Sequence, residues 1–327
     1  MIGKARKASG LLKLNPFIDP QDAAKLFRKD LSIDAITANS TLCRPGSLFV
    51  ATTGATKKSK DGHDFIDDAI ANGASLIVVN RGYMAKRQVS VPIIPSTDSK
   101  SALCHLLETF HDFPSSKLKI IGITGTNGKT SASFMLHSIL QRAGSNPKIM
   151  GTLGMGDPNN LQALPLTTMH AEFISASLAN MVESDVTHVI MEISSHALAL
   201  KRVEAIKFAA VALTNITEDH LDFHESFAAY RDAKARLFFQ LANKDAIRVL
   251  PSEHPFGDVQ GILFGEDSTC HTSFANVRLN PLGLNFRLKI DNETRDISLP
   301  MFGFFQVPNA CLAATLARKL GLDWVHI

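Results

Sequence analysis

The sequence predicts an α/β fold in two parts: a small N-terminal α/β domain, residues 1–114, and a central domain, residues 115–327, built on a mainly parallel sheet with helices on both faces. Three observations carry this expectation. Short apolar runs at 118–123, 187–193 and 209–214 alternate with helix-periodic segments, the pattern of a parallel sheet covered on both sides. A glycine-rich turn, Gly122-Ile-Thr-Gly-Thr-Asn-Gly-Lys-Thr130, stands where the first run hands over to a helical pattern. Between the two parts, Phe113-Pro-Ser-Ser-Lys117 has the composition of a linker.

Taken in order, Lys4, Arg6, Lys7 and Lys13 precede any acidic residue, the first being Asp19. Without an apolar secretory core or serine enrichment, this stretch reads as a basic, partly ordered N-terminal helix, a transit peptide being the alternative. Ser47 to Ala51 reads as a strand, Ile66 to Asn72 as a helix and Ser75 to Asn80 as a second strand. Leu118 to Ile123 is suited to a covered parallel strand. Beyond it Ala132, Met135, Leu136, Ile139 and Leu140 recur at helical spacing, with Gly144 as the stop. Phe227, Tyr230, Leu237, Phe238 and Leu241 form a second helical stripe. Ile262 to Leu299 is turn-rich and alternating, which predicts antiparallel strands. A helix from Ala310 to Leu320 is closed by Gly321.

Composition narrows the function. The 327 residues are 45% hydrophobic with no apolar run near the length of a membrane span, so large cores are expected and a membrane span is not. Lys and Arg number 34 against 31 Asp and Glu, a net charge of +3, and the basic residues are dispersed. That argues against an extended nucleic-acid surface and is compatible with phosphorylated substrates. Cys43, Cys104, Cys270 and Cys311 are too far apart for a metal motif or a disulfide scaffold, and read as reduced, mostly buried thiols of a cytoplasmic protein.

The chemistry concentrates at three places. In the glycine-rich turn, Gly125, Thr126, Asn127 and Gly128 would cradle phosphate on backbone N–H groups, Lys129 would reach the terminal phosphates, and the Thr130 hydroxyl would ligate magnesium. The strict G-x4-G-K-[ST] pattern would place its first glycine at 123, where Ile stands. Gly125 is this loop's own variant, and an ordinary glycine-containing βα turn is the alternative. Glu192 closes the run 187–193, where a carboxylate faces the crevice in which open sheets bind ligands; a solvated strand-end acid is the plainer reading. His220, in Asp219-His-Leu-Asp222, follows the next strand and falls at the same end of the sheet. Lys234 falls on the apolar stripe. It either snorkels to water or is desolvated, with a lowered pKa that makes it a neutral nucleophile able to take up carbon dioxide.

The loop, together with Met191-Glu-Ile-Ser-Ser-His-Ala-Leu198 and Thr214-Asn-Ile-Thr-Glu-Asp-His-Leu-Asp-Phe-His224, closely resembles the Mur ligases of peptidoglycan synthesis over about residues 36 to 322. The resemblance implies an ATP-dependent amide ligase that adds the third stem-peptide amino acid, diaminopimelate or lysine, to UDP-N-acetylmuramoyl-L-alanyl-D-glutamate through an acyl phosphate. It implies catalytic roles for Lys129, Glu192, His220 and Lys234, and magnesium at Thr130, Glu192, His220 and a carbamylated Lys234. His224 and Asp222 would orient the loop.

By the same resemblance, Asn39-Ser40-Thr41 before Arg44-Pro-Gly is similar to a uridine-binding element, with Ser40 retained and Asn39 and Thr41 departing from Asp-Ser-Arg. Thr167, Thr168, Ser194 and Arg202 match positions that hold the muramoyl-peptide, with Met169 and Leu200 departing. Gly303-Phe-Phe-Gln-Val-Pro-Asn309 matches the element that meets adenine nucleotide, Asn309 being retained and Gln306 replacing an Asn.

Family members continue into a third domain that selects the amino acid, and its Asp-Asn-Pro-Arg element does not occur before Ile327. The expectation is a chain without that domain, or one that receives it as a separate polypeptide. Three other readings stay open: a nucleotide- or partner-binding module without catalysis, a folylpolyglutamate-type ligase, and a generic P-loop ATPase or kinase.

Overall fold

A computed structural model describes residues 5–24, 31–54, 59–84 and 89–327. Lys4 of the basic N-terminus lies outside the described residues. The chain divides into two compact units: residues 1–114, 170–180 and 200–206 form one, and 115–169, 181–199 and 207–327 form the other.

The first unit is built on four parallel strands in the order Ala35–Thr37, Ser47–Val50, Ala74–Asn80, Ile93–Ser96. Successive side chains of a strand point to opposite faces, and the two cores follow that period. Leu48, Val50, Leu76 and Val78 join Leu103, Leu106, Leu107 and Phe110 of the helix Ser99–Phe110 in one cluster. Phe49, Ala51, Ile77 and Val79 join Ile66 and Ala69 of the helix Ile66–Ala71 in another. Asp98 caps Ser99–Phe110 by accepting from the N–H groups of Lys100 and Ser101. The basic N-terminus is a helix only over Ala8–Lys13, with Ala8, Leu11 and Leu12 buried. Arg6 and Lys7 pair antiparallel with Ile33 and Ser32.

The second unit carries an eleven-stranded sheet. The strand Lys119–Thr124 lies between His188–Glu192 and Phe208–Leu213, parallel to both. Pro147–Gly151 extends the sheet beyond His188–Glu192, and Ala242–Pro251 extends it beyond Phe208–Leu213. The chain therefore passes from one side of Lys119–Thr124 to the other, the point where open sheets form a ligand crevice at the carboxyl ends of their strands. Helices Lys129–Arg142 and Gln306–Lys319 pack together and share a core with Ile121, Ile123, Ile190 and Ala212. The helix Phe227–Arg236 runs into a π turn, Leu237–Leu241, which packs against Phe208–Leu213.

One strand expectation needs correction. Ile262–Gly265 runs parallel to both neighbours, Ala242–Pro251 and Thr272–Asn280, and the antiparallel meander begins only with Thr272–Asn280, followed by Gly283–Ile290 and Glu293–Leu299. Ile262, Leu263 and Phe264 form a short apolar run without polar alternation, the pattern of a strand inside a parallel sheet. A second antiparallel piece went unread: the hairpin Gly154–Asp157 with Asn160–Gln162 at the opposite edge. Among the described residues no helix is long and apolar enough to cross a membrane.

Candidate functional site

The glycine-rich loop leaves the strand Lys119–Thr124 and enters the helix Lys129–Arg142 at Gly128, whose φ of 84° lies in the left-handed region. A Cβ at Gly128 would land on Asn309 Oδ1, and one at Gly125 would strike Thr214 Oγ1. Both glycines are thus required by neighbours pressed against the loop. Asn309 is buried and is itself oriented by Gln306, whose Oε1 accepts from Asn309 Nδ2 at 3.1 Å.

The segment after Phe208–Leu213 clamps the loop from the other side. Thr126 N–H donates to the Asn215 carbonyl, Asn127 N–H donates to Asn215 Oδ1, and Thr214 Oγ1 donates to the Asn127 carbonyl at 2.6 Å. Thr126 Oγ1 also lies 2.8 Å from the buried Tyr230 hydroxyl, a contact hidden from the sequence because Tyr230 falls on the apolar stripe, 104 residues away.

Two lysine amines converge on this loop. Lys129 Nζ donates to the carbonyls of Gly125 and Thr126, and Lys234 Nζ donates to the same Gly125 carbonyl at 2.9 Å. Lys234 is 2% exposed and its amine lies 4.7 Å from the centre of the Tyr230 ring. Burial, reinforced by the charge of Lys129 and opposed by Asp219, lowers its pKa to about 7. Burial likewise lowers the pKa of Lys129, with Glu192 and Asp219 opposing.

Glu192, at the end of His188–Glu192, is 1% exposed. Its Oε2 accepts from Thr130 Oγ1 and Thr152 Oγ1, each at 3.0 Å, and Thr152 Oγ1 lies 3.1 Å from Thr167 Oγ1. Thr168 Oγ1 donates to the Glu192 carbonyl and accepts from Ser194 N–H, while Ser194 Oγ accepts from Ala197 N–H at the start of the turn Ser195–Ala199. The other carboxylate oxygen, Oε1, is buried without a hydrogen-bond partner among the described residues. It occupies space that a Cβ at Gly151 would fill.

Thr130, Glu192, Thr167, Thr168 and Ser194 thus form one hydrogen-bonded group. Thr152, which joins it, had no distinguishing signal in the sequence. His220 belongs to a different cluster, with φ 53° and its ring edge-on to His196 at 4.8 Å and to Tyr230 at 6.3 Å; its own polar partner is Asp219. His224 is buried against His196 and Tyr230, and burial, followed by the charges of His196, Lys234 and His220, lowers its pKa to about 4. Among the described residues no group of three or more His, Cys, Asp or Glu side chains is gathered for a metal.

Ser40 and Arg202 lie in the first unit. Ser40 is buried in a short 3-10 turn, and its carbonyl accepts from Asn72 Nδ2. The turn is capped by Asn39, whose Oδ1 accepts from both the N–H and the hydroxyl of Thr41, so the two departing residues satisfy each other. Arg202 is half-buried beside Glu172, whose Oε1 accepts from Ala38 N–H. The four cysteines are free and buried.

A parallel sheet with a variant phosphate loop, and a strand-end glutamate bonded to the loop's threonine, are the features of the P-loop class of α/β folds. Residues 123–317 match the Mur ligase middle domain and residues 32–111 match the catalytic domain of the Mur ligase family; the chain belongs to that family.

A similar curated protein is the UDP-N-acetylmuramoyl-L-alanyl-D-glutamate--2,6-diaminopimelate ligase of Bacillus licheniformis, 34% identical over 312 residues. That alignment covers 92% of this chain and 62% of the relative, so the chain spans less than two thirds of the relative's length. A solved structure bearing the same ligase title shares the fold with a TM-score of 0.74 and 24% identity, covering 89% of this chain and 61% of that one. A MurF structure from Acinetobacter baumannii shares it with a TM-score of 0.63 and 20% identity, covering 100% of this chain and 67% of that one.

Proposed function

We propose that this chain supplies the nucleotide- and muramoyl-peptide-binding parts of a cytoplasmic, ATP-dependent amide ligase of peptidoglycan precursor synthesis. In this reading, residues 1–114 hold the uridine end of UDP-N-acetylmuramoyl-L-alanyl-D-glutamate through Ser40, and residues 115–327 hold ATP on Gly125 to Thr130 and Asn309. Diaminopimelate is the amino acid, as in the name of the Bacillus licheniformis relative. The observation that carries the reading is the hydrogen-bonded group linking Thr130 of the phosphate loop through Glu192 and Thr152 to Thr167. It connects a nucleotide-type site with a peptide-type site within one carboxylate's reach.

Magnesium fits this group, because Glu192 Oε1 is buried and unpartnered and the Thr130 hydroxyl, having given its proton to Oε2, keeps lone pairs for a cation. We place it on Thr130, Glu192, His220 and a carbamylated Lys234. When bound, it neutralises charge on the phosphates. The chain's own groups do the rest: loop N–H groups hold the phosphates, and the Lys129 ammonium stabilises the phosphoryl group as the substrate carboxylate takes it up to form an acyl phosphate. Thr167, Thr168, Ser194 and Arg202 hold the peptide so that an incoming amine displaces phosphate.

The experiment is a pair of calorimetric titrations, with magnesium–ATP analogue and with UDP-N-acetylmuramoyl-L-alanyl-D-glutamate, alongside mass spectrometry for the amide product when diaminopimelate is added. Binding of both ligands, with loss of nucleotide binding in Lys129→Ala, is expected. A wild-type chain that binds neither ligand sinks the reading.

A further inference from the structure

Hydroxyl direction in the Glu192 group is settled by proton counting. A carboxylate can only accept, and each threonine hydroxyl has a single proton. Thr152 lies 3.0 Å from Glu192 Oε2 and so gives its proton there; the 3.1 Å contact between Thr152 and Thr167 must then run from Thr167 to Thr152. The proton of Thr167 is committed inward. Its remaining lone pairs can only accept, on a half-buried residue beside an exposed Thr152. The neighbouring Thr168 has spent its proton on the Glu192 carbonyl and takes the Ser194 N–H on its own oxygen, and it is 4% exposed.

We infer that Thr152 is a positioning residue that fixes Thr167 as a hydrogen-bond acceptor, so that the substrate group met there is a donor, an amide N–H or a hydroxyl, and not a carboxylate. The inference rests on the proposed muramoyl-peptide reading of this site and goes beyond it by naming the polarity of the contact. A substrate carboxylate at Thr167 would face oxygen lone pairs with no proton between them, and is directed instead to other donors of the site. The chain of protons from Thr167 through Thr152 to Glu192 also makes the peptide contact depend on the same carboxylate that contacts Thr130 of the phosphate loop.

The test is calorimetric binding of UDP-N-acetylmuramoyl-L-alanyl-D-glutamate to wild type, Thr152→Val, Thr152→Ser, Thr167→Val and the double variant Thr152→Val/Thr167→Val. Valine keeps the shape of threonine and removes only the hydroxyl. Thr152→Val is expected to weaken binding about five- to twenty-fold, the scale of one misdirected hydrogen bond, and Thr152→Ser to restore it. Thr167→Val is expected to lose a similar factor, and the double variant no more than either single. Multiplicative losses in the double variant, or wild-type affinity in Thr152→Val, overturn the inference. If Thr152→Val unfolds, Thr167→Val and Thr152→Ser carry the test, since a hydroxyl of no consequence at 167 leaves Thr167→Val at wild-type affinity. Absence of binding by the wild type would instead count against the peptide reading itself.

Discussion

Lys129 and Lys234 aim their amines at one acceptor, the Gly125 carbonyl, and two like charges so placed raise each other's cost of protonation. Lys234 has the worse position. It is the more completely buried amine, Lys129 repels it, and its pKa falls to about 7. At slightly alkaline pH it is therefore a neutral amine, the form whose nitrogen attacks the carbon of dissolved carbon dioxide, releasing one proton and leaving a carbamate anion. With 13C-labelled bicarbonate at pH 8, a carbamate carbon resonance is expected in the wild type and is expected to vanish in Lys234→Ala. In turnover assays of the proposed ligase reaction, that variant should lose activity and recover part of it with added acetate. A wild-type spectrum without the resonance at saturating bicarbonate would remove the carbamate from the site. The residue was legible in the sequence as a cation on an apolar stripe. What the sequence withheld was the shared carbonyl, which joins positions 109 residues apart and leaves no local pattern.

At the scale of elements, the strand–loop–helix unit was the most legible part, because its glycines, apolar run and helical spacing are all local. The structure adds the reason each glycine is needed. Gly128→Ala would place a side chain in left-handed backbone, costing about 1 kcal/mol, and would drive its Cβ into Asn309. Nucleotide affinity is expected to fall at least about tenfold by calorimetry, and unchanged affinity would show that the loop does not need this geometry to bind.

The strand His188–Glu192 was equally legible as a buried run, but no local pattern singles out its first residue. His188 is 6% exposed and stands across the ladder from Lys119. Burial, then the Lys119 charge, lowers its pKa to about 4. A base whose folded pKa lies below its unfolded value binds fewer protons when folded. Its contribution is therefore intact above about pH 6.5 and is lost as pH falls towards 4. Urea titrations at pH 7.5 and pH 5 should show His188→Leu losing about 2 kcal/mol less stability than wild type on acidification. An equal loss in both proteins would mean that His188 is not the group being protonated. The parallel direction of Ile262–Gly265 and the edge hairpin Gly154–Asp157 with Asn160–Gln162 were not legible, whereas the antiparallel strands from Thr272 to Leu299 were.

For the whole molecule, segments 170–180 and 200–206 cluster with residues 1–114, and nothing local to them announces it. Each unit has cores of its own, and the sole tryptophan, Trp324, reports on one of them. Trp324 packs against the cluster that contains Ile121, Leu136 and Leu312, with the guanidinium groups of Arg318 and Arg295 lying 5.5 and 5.6 Å from its ring. Its fluorescence therefore follows unfolding of the unit that carries the phosphate loop. A ligand that binds only the folded state stabilises it by about 2.7 kcal/mol at a hundred times its dissociation constant. For a unit of this size, that raises the midpoint by roughly 5–10 °C. Magnesium–ADP at that concentration is expected to shift the tryptophan transition by this amount in the wild type and not in Lys129→Ala. A shift that survives in Lys129→Ala would mean that nucleotide is held without the lysine proposed to reach its phosphates. No shift in the wild type would mean that the loop, for all its geometry, is not where nucleotide binds.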